Sequence, residues 1–559
     1  MAFSFNLIDE PWLPCVLADG SQTELGLRDA LARATEIVEI VGDTPPITAA
    51  LHRLLLAMLH RCFGPENAAA WQVLWQRGAF EMAAIDRYLD EWRPRFDLFD
   101  EARPFYQTAA VDVGGAGSVA KLLFQADNNP TLFDHAHVAD PPALSPARAA
   151  RLVLLVQGFD TGGLKAGTGS ERYAKAGPLI QCAVMMVRDV NLFQTLMLNL
   201  IRYSPENGWP WDFDPAKDRP AWERSGTTQP DDRYPDGYLD LLTWQNRRVR
   251  LIPEAAADRE TVIRRAVVMK GYQFPDAFNR RGHETMVAFR KSTAANAPDP
   301  YPPVGFREER ALWRDSLALL HVDAGEGERP RMLEWLGQLV HDEVLDPAVR
   351  LRLDFVGLAA DRAKLLFWRH DRLTVPAAYL EESKDDQPLL DALKPAIELA
   401  ERAGRLLRSG LAEVWVDGVP LRAKNKDVWA PSPMRVLAEE MLGANGAAGE
   451  LVEHLAPERG YWWRLEEAFR ELLLALPDDV VTDTYGDRRA GATALPRWTA
   501  DVGDAAQRAF DEAVAGLDVS ATGMRAVAKA DREMRRLLRG MTAVFRAAEP
   551  AVIRGGATA

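Results

Sequence analysis

Apolar residues along the chain fall into two regimes, and the change comes near Pro376. Beyond it, Leu389 to Leu411, Pro431 to Leu442, Tyr461 to Leu476 and Ser520 to Ala548 carry apolar side chains at three- and four-residue spacing. Ala505 to Leu517 adds a further helix and Asp478 to Pro496 a polar connector, so this part predicts an antiparallel helical bundle. Before Pro376, strand-like and helical segments mix between many Pro and Gly breaks; the loop from Trp209 to Asp236 alone has five prolines, and Ser292 to Pro303 is another connector. The opening stretch Phe5 to Pro14 predicts a short strand that holds Trp12 extended between two prolines, followed by a hairpin turn at Asp19-Gly20. Gly42 to Pro46 reads as a loop ahead of an apolar helix, Leu51 to Arg61, which must be buried. Gly357 to Lys364 reads as a tight turn between strands. The expectation is an α+β protein, with a mixed domain over 1–376 and a helical domain over 377–559.

At 559 residues the chain exceeds one ordinary core. Its 47% hydrophobic and 26% charged residues are those of a soluble globular protein. No apolar run is long enough for a membrane span, and the N-terminus shows no signal-peptide pattern. Three separated cysteines, Cys15, Cys62 and Cys182, offer neither a disulfide framework nor a cysteine-rich zinc site. The expected compartment is a reducing cytoplasm. A net charge of −14 argues against nucleic acid until it is resolved locally. Leu241 to Lys291 holds eleven basic residues against five acids, and Ala521 to Ala559 eight against three. An acidic body with two basic patches can hold nucleic acid at selected places, although both patches are also readable as solvated faces.

Enzyme motifs are missing. Gly162-Gly163-Leu164-Lys165-Ala166-Gly167-Thr168 has the outer glycines of a P-loop without its lysine, so no ATP site is expected, and no cofactor is implied elsewhere. Glycines 158, 162, 163, 167 and 169, with Lys165 and Arg172, instead form either a flexible surface loop or backbone able to approach phosphates and base edges. Lys270 ends the apolar run Ala266 to Met269 just before Gly271, where a lysine either projects into a groove or simply caps a strand. Trp244 upstream reads as core. Arg369, His370 and Asp371 resemble pieces of an acid–base site but lack a nucleophile, which favours an internal ion pair. His135 and His137, with Asp134 and Asp140, are candidate metal ligands for a nuclease, with loop coincidence as the simpler account.

The opening phrase Phe5-Asn6-Leu7-Ile8-Asp9-Glu10-Pro11-Trp12-Leu13-Pro14, the stretch Trp244 to Pro253 and the stretch Gly357 to Asp371 together resemble the CasA family, large subunits of the type I-E CRISPR surveillance complex Cascade. The resemblance extends over essentially the whole chain. It implies a large N-terminal mixed α/β domain of unusual fold joined to a C-terminal four-helix bundle, and a non-enzymatic subunit. In that family the subunit reads the protospacer-adjacent motif of the target duplex, largely from the minor groove, with a glycine loop, a lysine finger and a hairpin wedge. Carried over, these imply Gly162 and Gly163 with Lys165, then Lys270, then Asp361 and Arg362; relatives often have glutamine where this chain has Arg362. A docking loop near the 5′ end of the guide RNA corresponds to Asn128, Asn129, Leu132 and Phe133. The implied partners are the other Cascade subunits, guide RNA, target double-stranded DNA and a helicase–nuclease recruited after R-loop formation. No structural zinc is expected. The basic face of the last helix, with Arg525, Lys529, Arg532 and Arg536, is a candidate track for strand phosphates or a contact with a neighbouring subunit. A purely architectural subunit remains the other non-enzymatic reading.

Overall fold

The computed structural model describes residues 3–123, 142–205, 209–211, 214–292, 294, 296–297, 299–320, 327–361, 363–381, 386–424, 426–443, 446–482, 486–517 and 520–545. The chain divides into two compact units, one of Met1–Glu308 with Asp323–Leu373 and one of Glu309–Val322 with Thr374–Ala559.

The first unit starts with the antiparallel hairpin Leu13–Leu17 and Gln22–Leu25, joined by a third strand, Ile37–Ile40. Asp19-Gly20 makes the turn, with Gly20 at φ +83°. The strand expected over Phe5 to Pro14 begins only at Leu13. Asn6 instead accepts from the amides of Asp9 and Glu10 and turns the chain, while the fully buried Trp12 donates its indole N–H to the Leu7 carbonyl at 2.9 Å. The buried helix begins earlier than the expected loop allows, at Pro45, and runs to Phe63. Proline suits a first helical turn because the missing N–H would have no partner there. A second buried helix, Pro146–Phe159, starts at Ser145, whose side chain accepts from the Arg148 amide.

Two hairpins stand on this core. Arg247–Ala255 pairs antiparallel with Thr261–Lys270, from Arg247 opposite Lys270 to Ala255 opposite Thr261. The register slips between Ile252 and Pro253, where proline cannot donate to the ladder. Arg350–Asp361 lies between Lys364–Pro376 and Val184–Arg188. The tight turn expected from Gly357 does not begin there: Gly357 lies inside the strand, which runs on to Asp361. A Cβ on Gly357 would lie 2.0 Å from the Cys182 carbonyl oxygen, so this glycine serves close backbone approach.

In the second unit the long helices are Pro388–Arg405, Pro457–Ala475, Ala494–Ala515 and Ala521–Met541, with shorter ones at Pro433–Leu442 and Gly446–Leu455. The expected helix ending at Leu411 stops at Arg405. Leu411 opens a small β region that ends at Pro431, its first and last strands pairing Leu411 with Pro431 and Glu413 with Trp429. Residues 309–320, assigned from the sequence to the first domain, pack within this second unit. Trp313 stacks on Phe469 at 4.4 Å and meets Trp498 edge-on, and Arg314 pairs with Glu401 at 2.8 Å while lying over Trp462.

Candidate nucleic-acid interface

The glycine loop, Lys270 and the tip of the Arg350–Pro376 hairpin come together in the first unit. The loop leaves the Pro146–Phe159 helix and forms a minimal hairpin, Gly163–Leu164 against Tyr173–Ala174. Gly163 and Gly167 take φ of +125° and +118°, values that L side chains rarely adopt. The Ala166 amide donates to the Val268 carbonyl at 3.1 Å, and Ala166 bridges Met269 in the parallel sense, which places the loop beside the strand that ends in Lys270. A Cβ built on Gly163 would sit 3.8 Å from Ala363 Cβ, so the hairpin tip reaches the same loop. Gln181 fixes that tip by donating its side-chain amide to the Ala360 carbonyl at 2.6 Å. Asp361 ends its strand exposed to solvent; Arg362 lies outside the described residues.

Lys165 and Lys270 are less free than the sequence predicts. Lys165 turns inward, with its ammonium 2.7 Å from Asp160 Oδ2. Burial pulls that ammonium below its ordinary pKa; Asp160 opposes the shift, and the charge of Arg247 adds to it. Lys165 therefore anchors the base of the loop instead of extending from it. The Lys270 side chain is 20% exposed, and its ammonium lies 3.7 Å from Asp232 Oδ1. Lys175 approaches the same carboxylate at 3.6 Å and donates to Asp276 at 2.8 Å.

The principal organiser was missed. Arg247 is fully buried and donates to Asp160 at 2.5 Å, to the Thr161 carbonyl at 3.2 Å and to the Lys175 carbonyl at 2.8 Å. Gln157 exchanges two hydrogen bonds with its backbone. One guanidinium thus ties both arms of the glycine loop to the hairpin. Strand alternation carried the signal: Arg247, Val249 and Leu251 share a face, and all three are buried. The basic count over Leu241 to Lys291 is accordingly not one continuous patch. Arg264 pairs with Glu254 at 3.0 Å, and Arg281 stacks over Tyr301 and approaches Glu328 at 3.4 Å.

Elsewhere, Trp244 is core, 3% exposed. His370 and Arg188 each approach Asp354 Oδ2 at 3.0 Å, while Arg369 donates to the Arg307 and Glu308 carbonyls. Burial alone would raise Asp354, but His370 and Arg188 hold its carboxyl below the usual range. This is an internal ion cluster. On the last helix, Lys529 pairs with Glu440, Arg536 with Glu533 at 2.7 Å and Arg535 with Asp531 at 2.9 Å, whereas Arg525 and Arg532 make no ion pair among the described residues. Asn128, Asn129, Leu132 and Phe133, and with them His135 and His137, lie outside the described residues. Among the described residues no group of His, Cys, Asp and Glu is placed to hold a metal ion, and no helix is long and apolar enough to cross a membrane.

Comparison with known proteins places the chain in a class. Residues 6–509 match the family model for CRISPR-associated protein Cse1. The chain belongs to that family. The CRISPR-associated protein CasA/Cse1 of Thermus thermophilus is 32% identical over 550 residues, covering 96% of this chain and 97% of the relative. The crystal structure of Thermobifida fusca Cse1 superposes with a TM-score of 0.78 at 26% identity, covering 97% of this chain and 98% of that one. A chain of a CRISPR RNA-guided surveillance complex shares the fold at a TM-score of 0.71 and 23% identity, covering 95% of this chain and 99% of that one.

Proposed function

We propose that this protein is the DNA-recognition subunit of an RNA-guided CRISPR surveillance complex, without catalysis of its own. It reads a short motif flanking the target, largely through the minor groove, and helps the first base pairs open for the guide. The observation that carries this reading is the convergence of the Gly162-Gly163 loop, Lys270 and the Asp361 hairpin tip on one surface of the first unit. Loop amides with left-handed glycines permit backbone to approach base edges closely, and one lysine suits the degenerate donor–acceptor code of the minor groove. A wedge of Asp361 and Arg362 beside the motif lowers the cost of parting the first pairs. R-loop exchange is nearly balanced in base-pair energy, so contacts of a few kcal/mol decide it. The loop with Asn128, Asn129, Leu132 and Phe133 docks the subunit near the guide RNA 5′ end. The completed R-loop then recruits a helicase–nuclease, with the last helix offering Arg525 and Arg532 to strand phosphates. The complex works in the cytoplasm.

The test is the affinity of the guide-loaded complex for target duplexes with an intact or scrambled flanking trinucleotide. Wild type is expected to discriminate between the flanks and Lys270→Ala to lose that discrimination. If wild type ignores the flank, motif reading is wrong and an architectural role replaces it.

A further inference from the structure

We propose that Arg248 and Glu171 form a strap that fixes the glycine loop to Lys270, so that the two reading elements present their contacts as one rigid unit. The inference rests on the DNA-reading function proposed above.

Arg248 sits on the Arg247–Ala255 strand opposite Met269. Its Nε donates to the Lys270 carbonyl at 2.8 Å, and its Nη2 donates to Glu171 Oε2, also at 2.8 Å. A single planar guanidinium therefore spans from the backbone of the lysine to the far side of the glycine loop. On the same rung of the ladder, the Arg247 amide donates to Gln157 Oε1 at 2.8 Å. Glu171 follows Gly167 and Gly169, both at positive φ, and its amide closes a turn on the Thr168 carbonyl at 3.2 Å. The base of the loop is held by Lys165 and Arg247 on Asp160. The far side, which carries Gly167 and Gly169, meets Arg248.

The Arg248 side chain is 13% exposed and that of Glu171 is 44% exposed. A pair this accessible adds little to global stability. Its effect is on placement. Both elements attract DNA phosphates wherever they sit, but base edges are read only when loop amides and lysine meet the same step of the duplex together. Loosening the strap separates these effects: phosphate attraction survives while coincident reading does not.

The experiment is a double-mutant cycle with Arg248→Ala, Glu171→Ala and the pair, each assembled into the guide-loaded complex. Affinity is measured on duplexes with intact or scrambled flank, beside Lys270→Ala. Each single substitution is expected to weaken binding to the intact flank about fivefold while binding to the scrambled flank stays within about twofold. The pair is expected to lose no more than Arg248→Ala alone, because both act through one link. Amide exchange over 166–171 in the uncomplexed chain is expected to rise in both single variants, a readout independent of DNA. Unchanged exchange, additive losses, or equal losses on both flanks each overturn the strap. If Lys270→Ala abolishes discrimination while Arg248→Ala and Glu171→Ala leave it intact, the strap fails and the reading stands. If wild type does not discriminate, both fail.

Discussion

The Lys270 ammonium shares the Asp232 carboxylate with Lys175. Under the proposed function, DNA competes with an acid already in place. Both distances exceed 3.5 Å and Asp232 is half exposed, so the competition is mild, and it discourages phosphates that approach Lys270 without the correct flank. Asp232→Asn is expected to tighten binding to scrambled flanks by about threefold and thereby lower discrimination, measured by the same duplex titration. His60 gives a different residue-scale prediction. It is fully buried between Tyr203 and Tyr238, with ring centroids 5.5 and 5.4 Å away, and neither ring nitrogen has a hydrogen-bond partner among the described residues. Burial lowers its pKa from 6.5 to about 3. Below pH 6.5 the unfolded chain takes up a proton that the folded chain refuses until near pH 3, so stability is full above 6.5 and falls with pH in that window. The slope contributed is about 1.4 kcal/mol per pH unit. Denaturant titrations from pH 7 to 4.5 are expected to show it, and His60→Leu to remove it.

At the scale of elements, glycines separate two kinds of constraint. Gly357→Ala forces a Cβ into the Cys182 carbonyl within a central strand and is expected to cost about 2–4 kcal/mol in urea unfolding. Gly20→Ala, with nothing within 4 Å but φ +83°, is expected to cost about 1 kcal/mol. Periodicity made the long helices legible, because an amphipathic stripe records which side is buried. It could not locate the ends. The sequence helix over Leu389 to Leu411 ran on past Arg405, because Leu406 and Leu407 continue the apolar spacing while being buried outside the helix. The proline-led helix at Pro45 is informative: Pro45-Pro46 reads as a loop until the first-turn exemption is applied. The candidate surface was half legible. Glycines and a strand-end lysine stand out in a sequence, but the pairings of Lys165 with Asp160 and Lys270 with Asp232 join residues through folding, and no local pattern announces them.

Across the whole molecule, charge is the quantity that matters. The chain is acidic overall, and most of the arginines described above already face carboxylates. Under the proposed function each cation that meets a phosphate adds to the salt dependence: Lys270→Ala is expected to reduce the slope of log affinity against log salt by about 1. Replacing Arg525 and Arg532 with glutamine is expected to reduce it by about 2 on duplexes that open, and not at all on a mispaired-seed duplex that stays closed. The division into units was only partly legible, because Pro376 marks a change in spacing whereas Trp313 sits in a short segment with no helical stripe to betray where it packs. That segment has a consequence for how such a protein can change over time. The chain enters the helical unit at Glu309, leaves it after Val322 and returns at Thr374, so the two bodies alternate along the sequence. A recombination event that joined residues 1–373 of one relative to the remainder of another would transplant helices whose Phe469 and Trp498 close on a foreign tryptophan, or on none. The two bodies are therefore bound to be inherited together.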